Sequence, residues 1–342
     1  MKKQLLFLFA IAFLTVGCAQ KLNGKNENDL TRDGLKGNVK SVKKTQYYVT
    51  EEFGEIVKGK AYPFDHTEYN KKGNRIKYTW YSRGTFDGLT TYAYDDKGNR
   101  IEQIGYDFNR KIEEKHTLTY DDKGNLIEEK DYGSDGKIYS KKIYTYDAKG
   151  NRIERKDYGS DGKLKSKVIY TYDKKGNEIE WNSYNSDGKL DLKVIYIYDK
   201  KGNKIEEKRY DSDGKLNWKG IYIYGDKGNL IEEKDYSSDG KLFSLKNYDD
   251  KGNEIERKRY NSLGKLTEEH ISTYDKKGNK TETKGYYDSE SENYYDEWGV
   301  EDKSIHTYDS KGNCIEEKVY VRWEGSEEQI IYCIMEYEIE YY

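Results

Sequence analysis

Hydrophobic and polar positions along this chain fall into short alternating runs cut by regularly placed glycines. Runs such as Ile143-Tyr144-Thr145-Tyr146 and Val194-Ile195-Tyr196-Ile197-Tyr198 carry β-branched and aromatic residues at strand density. The string Tyr-Asp-x-Lys-Gly-Asn places glycine at Gly98, Gly124, Gly150, Gly176, Gly202, Gly252 and Gly278, with Gly228 and Gly312 in variant copies. Gly73 sits in a further variant, and Gly37-Asn38 looks like a degraded first copy. From Gly98 to Gly278 the copies are 26 residues apart, except for 24 between Gly228 and Gly252. A second glycine lies between them in Ser-Asp-Gly-Lys, at Gly136, Gly162, Gly188, Gly214 and Gly240, and as Ser-Leu-Gly-Lys at Gly264. Such self-similarity is the signature of a repeat architecture.

Both strings predict the same turn. Asp or Asn at the first position of a type I turn can accept from its own backbone, and glycine at the fourth takes the left-handed conformation. Followed by a strand, this is a three-residue hairpin loop with a glycine bulge. The expected fold is all-β: an elongated, twisted or spiralling antiparallel ribbon of hairpins with about 22 strands. A loop at Ser134-Asp135-Gly136 predicts Tyr132 opposite Ile138, Glu128 opposite Lys142 and Ile127 opposite Ile143. A loop at Ala148-Lys149-Gly150 predicts Thr145 opposite Ile153 and Tyr144 opposite Glu154. Neither face is apolar enough for a sandwich, so the sheet either solvates both faces or curls until one lines an interior.

The organisation reads as a leader (1–17), a polar tether (18–35), an irregular N-terminal cap (36–92), regular repeats (93–280), degenerate repeats with a Tyr-rich acidic insert (281–325) and a capping strand (326–342). In the leader, Lys2 and Lys3 precede an apolar run from Leu5 to Val16. That run is too short to span a bilayer and suits a signal peptide. It ends in Leu14-Thr15-Val16-Gly17-Cys18, which resembles the bacterial lipoprotein signal, with Thr15 where Leu is usual. The resemblance implies lipid on Cys18, and Ala19 after it favours the outer membrane, on either the periplasmic or the surface side. An ordinary signal peptide with an incidental cysteine is the alternative.

Composition limits what the repeat can do. Only 34% of the 342 residues are hydrophobic, and 37 of them are tyrosine, so a thick aliphatic core is excluded. The 61 basic residues nearly cancel 64 acidic ones, which removes the basic face a nucleic-acid binder needs. One proline against 32 glycines excludes collagen and proline-rich linkers.

Tyr-Asp followed by Gly-Asn, with an intervening Asp-Gly and a Tyr-Thr-Tyr-Asp exit, resembles the YD-repeat, or Rhs-repeat, family over about residues 65–320. In that family the repeats form spiralling β-hairpin ribbons, closed in large members around a cargo. The resemblance implies a fold and an envelope setting. No toxin-like C-terminal domain is recognisable, and about ten repeats look too few for a sealed container.

Catalytic candidates do not emerge. His66, His116, His270 and His306 sit in unrelated contexts with no triad or metal-ligand spacing, so no cofactor or metal is expected and the chain reads as a non-enzyme. Asp211-Ser212-Asp213-Gly214 faintly resembles a calcium loop, but Lys215 follows at once and the turn accounts for the acids. Aromatic residues are the binding candidates, toward a protein or glycan partner: Tyr286, Tyr287, Tyr294, Tyr295 and Trp298 in the insert, with Trp181 and Trp218 breaking the repeat consensus. Packing within the repeat is the plainer role for the same rings. Cys314 and Cys333 flank a hairpin near Glu324-Gly325, where an oxidising envelope would permit a disulfide; two buried thiols are the alternative. The leading expectation is an envelope lipoprotein serving as a β-repeat binding or scaffold surface. A glycan-binding adhesin comes second, and an envelope hydrolase is a distant third.

Overall fold

The computed structural model describes residues 28–53, 55–288, 301–322, 326 and 330–342. The insert's Tyr294, Tyr295 and Trp298, and Cys18 with its leader, lie outside the described residues. Twenty-two antiparallel strands follow one another as a meander, each paired with the next, from β1 (Val39–Glu52) to β22 (Ile330–Tyr341). The ribbon does not stay open. β1 also pairs with β22, Val42 opposite Ile339 and Lys44 opposite Tyr337, so the sheet closes into a β-barrel.

The predicted loops form. In the loop between β8 (Ile138–Tyr146) and β9 (Arg152–Gly159), the Asp147 N–H donates to the Asn151 carbonyl at 2.9 Å and the Gly150 N–H to the Asp147 carbonyl at 3.1 Å. Gly150 sits at φ +88°, the left-handed region that glycine occupies without strain. The Asp147 carboxylate accepts from the Lys149 and Asn151 N–H groups at 2.9 and 2.8 Å. These donors hold its pKa below the usual carboxylate range. One copy escaped the sequence pattern: Arg110 replaces the glycine between Gly98 and Gly124, and is forced to φ +61°.

Register next to each loop is as expected, but it slips one residue further on. Tyr132 faces Ile138; then Asp131 faces Ser140, Glu129 faces Lys142 and Glu128 faces Ile143, because Tyr139 bulges out of the ladder. Likewise Tyr146 faces Arg152, but Thr145 faces Glu154 and Tyr144 faces Arg155, with Ile153 in the bulge. The predicted pairs Glu128–Lys142, Ile127–Ile143, Thr145–Ile153 and Tyr144–Glu154 are therefore displaced by one. A bulge bends its strand and increases local twist, so one near each turn curls the ribbon toward closure.

The slip also decides which residues share a face. Tyr144, Arg155, Lys142, Asp157 and Ser140 share one face. On the same parity round the ring lie the buried Val168, Tyr170, Val194, Glu207 and Asp235, whereas Ile197, Ile223 and Ile271 are exposed on the other; the more crowded face is the concave, inward one. Outside lie Ile143, Thr145, Glu128, Lys156 and Glu154. Tyrosines divide accordingly. Those of the Tyr-Asp loops point inward, whereas Tyr158, Tyr184 and Tyr236, which precede the Ser-Asp-Gly loops, point outward beneath Lys141, Lys167 and Lys219 at 5.1, 5.6 and 5.0 Å. Charged residues recur on the outward face at every level. The outward face of the described residues carries Lys141, Lys156 and Lys167 on successive strands, each of which would cost about 2–4 kcal/mol at a bilayer midplane. Among the described residues no helix is long and apolar enough to cross a membrane.

Apolar packing gathers where the ends meet. Leu30, Val39 and Tyr69 are buried together, with Leu35, Val42, Ile339 and Tyr341 against them. Residues 28–35, assigned to the tether by composition, are docked here. Asn28 caps the short helix α1 (Asp29–Arg32), accepting from the Thr31 N–H at 3.0 Å. Asp29 accepts from the Arg75 N–H at 2.8 Å and the Tyr94 hydroxyl at 2.7 Å. Beyond it, the Lys36 N–H and carbonyl bond the Asn313 amide at 2.6 and 2.8 Å, on the other side of the seam. The expected caps at both chain ends thus cap one another: joining β1 to β22 removes the two exposed edges that invite aggregation.

Candidate binding surface inside the barrel

The inward face is a wall of rings and paired charges. One row crosses β12 (Leu190–Tyr198) through β19 (Lys280–Tyr287) as Tyr196, Glu207, Gly220, Asp235, Ser244, Arg259, Glu268 and Tyr287. Beside it runs Trp181, Val194, Arg209 and Trp218. Trp181 and Trp218, three strands apart, thus share one inward row. Their surfaces are already engaged: Trp181 Nε1 donates to the Tyr196 hydroxyl at 3.1 Å, and the Arg209 guanidinium stacks on Trp218 at 4.3 Å.

Polar burial is matched by partners at Glu207 and Glu233, whereas Asp157 Oδ1, Asp235 Oδ1 and the Nε atoms of Arg152 and Arg155 are buried without a hydrogen-bond partner. Glu207 is only 5% exposed, yet it accepts from Lys204 at 2.8 Å and Arg209 at 2.9 Å. Burial alone would raise its pKa, but the two cations prevail and hold it low. Glu233 accepts from Lys246 at 3.0 Å and the Tyr248 hydroxyl at 3.1 Å. Asp302 and Asp235 are raised, chiefly by burial. Elsewhere the inward face is more open: the Arg259 side chain is 51% exposed although it bridges to Glu268 at 3.2 Å. Sequence reasoning passed over these acids because the bulge hides their shared face; the glycines Gly220 and Gly285, replacing side chains opposite Glu207 and Asp302, were the available signal.

Tyr286 and Tyr287 are separated by the alternation of β19. Tyr287 faces inward, 3.2 Å from Asp302 and edge-on to His270 at 5.5 Å, while Tyr286 is exposed outside. Three histidines share the interior. His116 lies 2.5 Å from Asp131, His270 lies 2.9 Å from Glu268, and burial lowers the pKa of His306. His66 faces out, opposite Thr79. Among the described residues no cluster of three His, Cys, Asp or Glu is placed to hold a metal. At Asp211 the carboxylate accepts from the Asp213 and Lys215 N–H groups at 3.0 and 2.9 Å, as a turn requires.

The cysteines are not opposed. Cys314 pairs with Tyr308 beside a loop, whereas Cys333 lies opposite Val319 and Tyr48, five positions along the strand from Cys314. Both thiols are free, and burial pushes them up to about 11 and about 12. Of the two alternatives the sequence left open, a disulfide or two thiols, the structure has two separate thiols, both on the inward face.

No family model matches the chain, and no curated protein matches it. Among solved structures, it is similar to the TcdB2-TccC3-TEV structure at 13% identity over 84% of this chain, with a TM-score of 0.31. It spans about a fifth of that larger protein, 20% of its length. A Photorhabdus luminescens Tc holotoxin pore gives 12% identity over 84% of this chain and 20% of the other, at 0.25. A porin-like protein from Bacteroides uniformis gives 15% identity over 88% of this chain and 96% of the other, at 0.28. The β-repeat barrel described above rests on its own strand pairings.

Proposed function

We propose that this chain is a non-enzymatic cell-envelope lipoprotein, held at the outer membrane by lipid on Cys18, whose closed β-repeat barrel is a scaffold for a protein or glycan partner. The observation that carries the reading is the inward wall: rings and hydrogen-bonding groups occupy the positions where a domain of this size would ordinarily place an aliphatic core. The most buried charge there, Glu207, is neutralised by Lys204 and Arg209, which suits presenting a stable surface better than reacting. Anchoring is tested by feeding cells a labelled fatty acid. Label should enter the intact protein and be lost with Cys18→Ala; a labelled Cys18→Ala chain or an unlabelled parent contradicts it.

A glycan partner is the second reading, and the feature that bears on it is the placement of Trp181 and Trp218 in a single inward row, where a sugar would have to displace Arg209 from the Trp218 face. A glycan array probed with the full chain, and with Trp181→Ala and Trp218→Ala, separates the two. Binding lost on both substitutions supports the glycan, and binding that persists removes these rings from the account.

A further inference from the structure

We infer that the barrel rim formed by the Lys-Gly-Asn loops docks flat against an anionic bilayer. All ten loops carry an exposed lysine at their third position, from Lys72 to Lys311, and four add another at the second: Lys71, Lys174, Lys200 and Lys276. Exposed acids at these tips are Asp96, Asp122, Asp226 and Asp250. The first-position aspartates, such as Asp147, are half-buried, with their carboxylates turned onto backbone N–H groups. Three consecutive loops, β8–β9, β10 (Leu164–Tyr172) to β11 (Glu178–Asn185), and β12 to β13 (Lys204–Tyr210), present Lys149, Lys174, Lys175, Lys200 and Lys201 with no acid at the tips. Lys175 Nζ also donates to the Lys200 carbonyl at 3.4 Å, tying two of these loops together. The opposite rim differs: there Asp135, Asp161, Asp187, Asp213 and Asp239 stand two residues from Lys137, Lys163, Lys189, Lys215 and Lys241.

The position of the chain's N-terminal segment selects the same rim. Asn28 Nδ2 donates to the Lys72 carbonyl at 2.9 Å, so the first described residue sits at the lysine-bearing end, beside the β1–β22 seam. Nine residues separate Cys18 from Asn28, a reach of about 35 Å at most. The acid-free lysine arc lies halfway round the ring from that seam. A lipid at the seam and phosphate headgroups beneath the arc would attach opposite sides of one rim and set it parallel to the bilayer. The orientation rests on the proposed lipidation; the charge contact does not.

The test uses the full chain with Cys18→Ser, sedimented with vesicles of phosphatidylcholine alone or mixed with phosphatidylglycerol. Binding should favour the anionic vesicles and weaken with salt. Changing Lys149, Lys174, Lys175, Lys200 and Lys201 to Gln should cut that preference more than tenfold. Changing Lys137, Lys163, Lys189, Lys215 and Lys241 to Gln should preserve it. Circular dichroism confirms that both variants fold. Absence of an anionic preference, or equal loss in both variants, overturns the proposal, and fatty-acid labelling of Cys18 reports separately on the anchor.

Discussion

The Tyr146 hydroxyl donates to the backbone carbonyl of Leu126, twenty residues earlier, at 2.7 Å. The same bond recurs from Tyr120 to Arg100, Tyr172 to Arg152, Tyr198 to Glu178 and Tyr274 to Glu254, at 2.8–2.9 Å. These five Tyr-Asp loops are thereby fastened to their predecessors on the inner side of the rim, which gives the repeat's tyrosine a physical reason, while Tyr248 donates to Glu233 instead. Tyr146→Phe keeps the ring but leaves that carbonyl unpaired and should cost about 1–2 kcal/mol. Tyr139→Phe, at an exposed bulge, should change stability by less than about 0.5 kcal/mol. Chemical denaturation of both variants makes the comparison, and equal effects would remove the bond from the account.

Loop conformation gives a second prediction, with opposite signs at two positions. Gly150→Ala forces a side chain into φ +88° and should destabilise by about 1–2 kcal/mol. Arg110→Gly relieves the same strain at φ +61°, offset by loss of the Arg110 stack on Phe86 at 5.4 Å, and should stabilise by roughly 0.5 kcal/mol. Thermal melts that move the same way in both variants would contradict this.

What could be read from sequence, and what could not, follows from the range of each interaction. Loops are local: Asp147, Lys149 and Gly150 specify theirs within five residues, so about 22 strands and the turn type were legible. The bulges at Tyr139 and Ile153 are set by curvature and leave no mark in a two-residue alternation, so the facing pairs came out one residue off. Closure was hidden because Lys44 and Tyr337 meet across nearly the whole chain. Docking of α1 was hidden for the same reason, since Asp29 finds Arg75 and Tyr94 only after the hairpins form. Trp181 and Trp218 were identified as exceptional, but their common face depended on the bulges.

Acid should weaken the loops. Asp95, Asp121, Asp147, Asp173, Asp199, Asp249, Asp275 and Asp309 all have pKa values below the usual range, with backbone or side-chain donors of the following Asn among the causes. A depressed folded-state pKa contributes stability above the unfolded value, near 3.9, that is lost as pH falls through the folded value. Asp65, Asp235 and Asp302 act oppositely, because burial raises them and protonation favours the fold. The melting temperature should therefore fall steeply below about pH 4. Changing Asp147 and Asp173 to Asn, the residue found naturally at Asn70, should make that fall shallower while preserving the fold. An unchanged pH profile would contradict the assignment.

Repetition predicts tolerance of a deletion in phase. Removing residues 172–197 excises two strands and one loop of each kind, leaving neighbours of the same type to pair. The shortened chain should keep its strand circular dichroism, and the barrel circumference should shrink by about 10 Å. Small-angle scattering measures the change, and loss of the strand signal would refute nearest-neighbour stacking.

Closure itself is tested most directly at the seam, where Lys43 and Glu338 face each other outside the barrel with Nζ and Oε2 3.0 Å apart. Cysteines placed at those two positions in the full chain should crosslink rapidly on oxidation, within one molecule, as peptide mapping by mass spectrometry would show. Absence of that intramolecular link, with the two cysteines instead joining separate molecules, would mean that the ribbon is open.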